Sequence, residues 1–347
     1  AAAGFTVRER VSLGLVGELV RLGVPPGTEL ETARTAVVAA APGVVADVNS
    51  IYLPVEGSGA CDGPACGQLA LVGWPADAAG GTCGDGITVG IVDTGVNPAH
   101  PALARADVTL VPVLGDRPRV SDESHGTAVA AVIAGSGDTR VRGLLPRARI
   151  VAADAFVEDE AGRTLTDAFR LVAAIDAVAA ARPAALNLSL AGPANRVLEQ
   201  AVDAADSAAI VLVAAVGNDG PSSPPLYPAA YTAVVAVTAV DRTRAVYRRA
   251  VQGDHVDFAA PGVDVWTAAS LRGARPRTGT SFAAPFVTAA IALARSGGAA
   301  DAAAAATRLR EEAEDLGAPG RDPVYGWGLI EAGGLCRPSA APRASAG

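Results

Sequence analysis

From Ile87 onward, short apolar runs alternate with longer, Ala-rich stretches. Ile87–Val92, Ile150–Phe156, Ala185–Leu190, Ile210–Ala215 and Val234–Val240 are almost continuously apolar, the pattern of strands buried on both faces rather than one. The stretches between them, such as Asp167–Ala181 and Ala194–Ala208, have helical length. Further Ala-rich helices are expected from Ala283 to Ala294 and from Ala299 to Ala313. This alternation predicts an α/β fold, a three-layer α/β/α sandwich around a mostly parallel central sheet.

The first 56 residues follow another pattern. Thr28 with Glu31 three residues later reads as a capping box, so a helix is expected from there to Ala41, where Pro42-Gly43 stops it. Val44 to Val55 then reads as extended. The expected organisation is an N-terminal extension (1–56), a Gly- and Cys-rich connection (57–86), the main α/β unit (87–336) and a flexible Pro/Ser/Ala-rich tail (337–347).

Composition narrows the function classes. Half of the 347 residues are apolar and 18% are charged, enough for a sizeable core. The net charge of -8 argues against nucleic acid as a partner, because gripping phosphate needs a basic surface. Arg8, Glu9, Arg10, Glu18 and Arg21 break the most apolar N-terminal stretch, so no membrane span is expected. Cys61, Cys66, Cys83 and Cys336 form an even set outside any Cys-x-x-Cys pair. They suggest two disulfides, Cys61–Cys66 with Cys83–Cys336 being the favoured one of three connectivities. A zinc site is the competing reading, but no histidine stands near them at ligand spacing. Together with the start at Ala1-Ala2-Ala3-Gly4, which suits the far side of a signal-peptidase cut, this leads to the expectation of a secreted or periplasmic protein.

Three segments bring a reactive side chain to the end of a buried element. Val89-Gly90-Ile91-Val92-Asp93-Thr94-Gly95 ends an apolar strand on a carboxylate. His125-Gly126-Thr127 opens a small-residue helix that stops at Gly135. Gly279-Thr280-Ser281 is a tight turn that delivers a hydroxyl to a helix N-terminus, where free N–H groups and the helix dipole favour an anion. Each alone has a plain structural reading: a turn cap, a core histidine, an ordinary N-cap. In the order Asp, His, Ser they supply an orienting acid, a general base and a nucleophile.

The three segments closely resemble the motifs of the subtilase family, and Val216-Gly217-Asn218-Asp219-Gly220 resembles its oxyanion-asparagine segment. The resemblance runs from Trp74 to Ile330 and takes in Asn97-Pro98-Ala99-His100-Pro101 and Asp257-Phe258-Ala259-Ala260-Pro261-Gly262. It implies a subtilisin-like fold and a serine endopeptidase whose catalytic residues are Asp93, His125, Ser281 and Asn218. Its partner would be a protein or peptide substrate, bound as a strand along Ser189, Leu190, Ala191 and Gly192. Leu226, matching a position at the base of the pocket for the residue before the cut (P1), implies small or medium apolar P1 residues such as Ala, Val or Leu. No cofactor is implied for catalysis. Calcium is left open, since no dense acidic loop marks a site. A monomer is expected.

Departures from the family pattern are Ala128 for a usual second histidine, Phe282 for a frequent methionine, Phe286 for a frequent histidine and Ala191 for a usual glycine. None removes a catalytic group. His100 and His255 read as structural. Residues 1–56 faintly resemble the back half of a subtilase propeptide, and a plain extension packed on the enzyme is the alternative.

Overall fold

A computed structural model of the chain describes residues 4–54, 67–74, 84–114, 121–135 and 141–335. The N-terminal part contains β1 (Thr6–Leu13), β2 (Gly17–Gly23), α1 (Leu30–Ala40) and β3 (Ile51–Pro54), followed by a one-turn helix α2 (Gln68–Leu71). Then come β4 (Thr88–Asp93), β5 (Asp107–Val111), α3 (Ser124–Ala134), β6 (Arg149–Asp154), β7 (Val157–Glu158), β8 (Thr164–Asp167) and α4 (Ala168–Ala179). Next are β9 (Ala185–Leu188), β10 (Leu190–Ala191), α5 (Arg196–Ser207), β11 (Val211–Ala215), β12 (Val234–Val240) and β13 (Phe258–Pro261). The hairpin β14 (Val265–Ala268) and β15 (Ala274–Arg277) leads into α6 (Thr280–Ser296) and α7 (Ala302–Glu312).

Among the described residues the main sheet has seven strands in the order β13-β12-β11-β9-β4-β6-β5. Every neighbouring pair in it is parallel. The order of connection reverses between β4 and β9. In an open α/β sheet such a switch leaves a crevice at the carboxyl ends of the strands, the place where ligands bind. Asp93 is the last residue of β4, and Ser189 follows directly after β9.

Helices cover both faces. One apolar cluster joins the sheet to α3 and α6, and the other joins it to α4 and α5. Helix α3 is buried along its whole length, which its small side chains permit, because a bulky face could not fit between the sheet and α6. Helix α6 is buried on all sides through Ala294, so its apolar residues are not confined to one stripe. The three-layer α/β/α sandwich expected from the sequence is the fold observed.

Two local expectations are revised. The capping box at Thr28 does not form: α1 starts at Leu30 behind Glu29 without a side-chain cap, and Glu31 pairs with Arg34 instead. The antiparallel hairpins β1–β2 and β14–β15 were not anticipated. In β1 the sequence Val7-Arg8-Glu9-Arg10-Val11 alternates weakly, with exposed charges interrupting the apolar positions. All four cysteines, and with them both expected pairings, lie outside the described residues. No described helix is long and apolar enough to cross a membrane.

Candidate active site

The carboxyl ends of β4 and β9 and the first turn of α6 meet at one place. Asp93, His125, Asn218 and Ser281 are all buried there, the nucleophile candidate completely. Asp93 ends β4, and its Oδ1 accepts the Thr94 N–H at 2.6 Å and faces Nδ1 of His125 at 2.6 Å. A carboxylate at that distance favours the tautomer with its proton on Nδ1, and it stabilises the imidazolium when one forms. The Thr94 hydroxyl accepts the Gly126 N–H at 2.9 Å, so the end of β4 also fixes the start of α3. Gly126 is needed for that approach, since a Cβ there would lie 2.4 Å from the Thr94 carbonyl oxygen.

Gly279 turns the chain into α6 with φ 151°, a conformation that L side chains rarely adopt. Its N-cap residue has no side chain to cap it with. Ser281 sits in its first turn, and the next residue, Phe282, packs against the His125 ring with centroids 5.3 Å apart and the planes tilted by 47°. The imidazole is therefore held between Asp93 and the turn that carries Ser281.

Asn218 is anchored by one end of its amide. Its Oδ1 accepts the Thr280 N–H at 3.2 Å and the Thr280 hydroxyl at 3.1 Å. Its Nδ2 is buried and has no hydrogen-bond partner among the described residues. A buried donor without a partner costs about 1–3 kcal/mol, so a donor kept in that state beside a serine suits an anion that appears only during reaction.

The sequence reading named Ser189 for substrate binding and did not foresee the bonds by which it braces this arrangement. The Ser189 hydroxyl donates to the Ser281 carbonyl oxygen at 2.8 Å and accepts from Asn187 Nδ2 at 2.8 Å. Asn187 Oδ1 in turn accepts from Thr288, about two turns beyond Ser281 on α6. Nothing in the linear pattern marks Asn187 or Thr288, because they converge only through the packing of α6 on the sheet. Arg277 was missed as well: it is buried, donates to the Ser124 carbonyl at 3.1 Å and lies 5.9 Å from the Phe282 ring.

The predicted substrate segment is already paired. Strand β3 runs antiparallel to β10, with Pro54 opposite Leu190 and Leu53 opposite Ala191. On its other side it pairs with β8, Ile51 opposite Asp167 and Tyr52 opposite Thr166. Gly192 bridges to Tyr227. Leu226 stands against Gly217, the neighbour of Asn218, where a Cβ would lie 2.5 Å from Leu226 Cδ1. His100 lies away from this cluster: its Nδ1 accepts the Ala102 N–H at 3.0 Å and burial lowers its pKa. Burial likewise lowers the pKa of His255, with a smaller contribution from Arg321. Among the described residues no group of three or more His, Cys, Asp or Glu is arranged to hold a metal ion.

Comparison with known proteins adds the following. The profile of the Subtilase family matches residues 84–328. The chain is 33% identical over 257 residues to the minor extracellular protease Epr of Bacillus subtilis, spanning 72% of this chain but only 38% of that protein. It is 33% identical over 260 residues to subtilisin DY of Bacillus licheniformis, spanning 71% of this chain and 89% of that one. The fold resembles that of fervidolysin from Fervidobacterium pennivorans, with a TM-score of 0.74 at 22% identity, over 93% of this chain and 56% of that chain.

Proposed function

The chain belongs to the subtilase family of serine peptidases, and from that premise we propose that it cleaves peptide bonds through an acyl-enzyme formed on Ser281. His125 takes the Ser281 proton as the hydroxyl attacks the carbonyl, then returns it to the leaving amine. Asp93 holds the imidazole and stabilises its charged form. Asn218 Nδ2 and the Ser281 backbone N–H receive the oxyanion. The buried 2.6 Å contact of Asp93 with His125, set against the turn that carries Ser281, is the observation that carries this reading. Labelling with a fluorophosphonate probe tests it: the chain freed of residues 1–56 labels and hydrolyses an unfolded protein, and the same chain with Ser281→Ala does neither. Labelling that persists in Ser281→Ala would overturn it.

An extended substrate would lie along Ser189, Leu190, Ala191 and Gly192, and Leu226 against Gly217 would make the P1 pocket shallow. Small or medium apolar residues such as Ala, Val or Leu are therefore expected at P1. A peptide library that favours Phe, Tyr, Arg or Lys there would defeat this. Residues 87–336 form the catalytic unit in this reading, residues 57–86 a connection and residues 337–347 a tail. The enzyme is read as a monomer exported from the cytoplasm, in line with the printed name of its extracellular relative.

Residues 1–56 act as a prosegment that blocks the cleft. Supporting this, β3 occupies the place an extended substrate needs, with β10 on one side and β8 on the other. The rest of the segment holds to the enzyme through Asp47 on the Arg196 N–H, Arg21 on Asp167 and the Leu15 N–H on Asp176.

A further inference from the structure

Helix α6 carries a proline in its interior, Pro285, four residues after Ser281. In an α-helix each N–H bonds to the carbonyl four residues back, and proline has no N–H to give. Its ring also crowds that carbonyl and turns it away from the helix axis. The carbonyl concerned is that of Ser281. A donor from outside the helix meets it instead: the Ser189 hydroxyl, just beyond β9, at 2.8 Å.

Behind Ser189 the donors all run in one direction. The Thr288 hydroxyl donates to Asn187 Oδ1 at 3.0 Å, and Asn187 Nδ2 donates to Ser189 Oγ at 2.8 Å. A serine hydroxyl has a single proton. With an N–H group of Asn187 facing it, Ser189 gives that proton to Ser281. A reversed amide would present Oδ1 to Ser189 and draw the same proton away. Asn187, Ser189 and Thr288 are at most 1% exposed, so water cannot replace a lost partner anywhere along this string.

What the string holds is a peptide plane. The Ser281 carbonyl and the Phe282 N–H belong to one rigid unit, and the N–H end donates to the Gly279 carbonyl at 3.0 Å. Ser189 pins the opposite end. The plane joins Ser281 to Phe282, whose ring packs against His125. A tilt of this plane would therefore move the nucleophile and the group beside the base together, and small misplacements of reacting atoms are costly in rate.

We propose that Ser189 is a positioning residue for the nucleophile: its hydroxyl, directed by Asn187 and Thr288, takes the place of the helical N–H that Pro285 lacks and fixes the Ser281 carbonyl. This is a role apart from lining the substrate, and it acts on the chemical step rather than on binding. The inference rests on the peptidase reading above, in which Ser281 is the nucleophile.

The test is a set of variants, each folded as the full chain and assayed once freed of residues 1–56. Ser189→Ala should lower kcat on an unfolded protein, and the limiting rate of fluorophosphonate labelling, about tenfold, with KM changed by less than about twofold. Pro285→Ala gives residue 285 an N–H again, so in that background Ser189→Ala should cost less than about twofold. Thr288→Val, at the far end of the string, should lower kcat about threefold alone and no further in combination with Ser189→Ala. A raised KM with kcat preserved in Ser189→Ala would make Ser189 a substrate contact only and overturn the inference. An equal loss with and without Pro285→Ala would overturn it too, as would additive losses from Ser189→Ala and Thr288→Val. If Pro285→Ala does not fold, the pairing of Ser189→Ala with Thr288→Val decides by itself. An unsubstituted chain that folds but neither labels nor hydrolyses would bring down the peptidase reading, and the inference with it.

Discussion

Helices α4 and α5 begin very differently from helix α6. At α4 the Asp167 side chain accepts the Arg170 N–H at 2.9 Å, while Ser50 and Asn49 accept the Ala168 and Phe169 N–H groups. At α5 Asn195 accepts from Val197 and Leu198, and Asp47 accepts from Arg196. Each start is capped twice, once by its own N-cap residue and once by the N-terminal segment. Helix α6 starts from Gly279, which has no side chain to cap with. The starts of α4 and α5 are met by their own N-cap side chains and by the N-terminal segment, whereas at α6 the Thr280 N–H is met by Asn218 from beyond β11. The N-terminal segment thus meets both capped ends with its polar groups and lays β3 beside β10.

Substitutions at the two kinds of helix start should separate activity from stability. The largest effect is expected at Asn218→Ala, which removes the donor beside α6. Its kcat should fall about 10²–10³-fold with KM little changed, the loss known for the corresponding asparagine of subtilisin itself. A fall in stability with kcat preserved would erase the distinction drawn here. Next in size is Asn195→Ala at α5. It removes the cap and also the Nδ2 donor to the Val48 carbonyl at 2.6 Å, so about 0.5–2 kcal/mol should be lost in denaturant unfolding. Helix α7 offers a control, because Asp301 caps it through the Ala304 N–H at 2.8 Å. Asp301→Ala should lose about 1 kcal/mol of stability and leave kcat/KM unaltered. A change in kcat/KM there would mean that capped ends also feed the site.

The smallest effect is a pH dependence. Burial depresses the pKa of His100 below its ordinary 6.5, so the folded state holds the ring neutral while the unfolded chain would protonate it. The stability this contributes is whole above pH 6.5 and is lost as pH falls through the folded value. The thermal midpoint should therefore drop on going from pH 7.5 to 5.5. His100→Asn, which keeps an acceptor for the Ala102 N–H, should flatten that slope. His255, lowered in the same direction, adds to the slope.

Much of this was legible along the chain, and the reasons are local. Val234–Val240 was bounded correctly because a strand buried on both faces has no polar position to blur its ends. The segments that carry Asp93, His125 and Ser281 could be picked out because the neighbours of each have their own steric duties. Gly126 lets α3 approach Thr94, and Gly279 turns the chain into α6. The hairpin β1–β2 escaped because its faces are largely solvent-exposed and carry charges, which leaves little periodicity to detect. Thr28 misled because a capping box competes with other partners, and Glu31 found Arg34.

By itself the sequence determined the α/β alternation, the family and the segments that hold Asp93, His125, Asn218 and Ser281. Those depend on burial patterns and on turns, which neighbouring residues dictate. Only the tertiary structure decided that Asn187, Ser189 and Thr288 brace the carbonyl of Ser281, and that β3 lies between β8 and β10 with Tyr52 against Gly192 and Pro193. Residues 92 to 141 positions apart meet there, and a contact of that range is fixed by how whole elements pack rather than by any local preference of the chain.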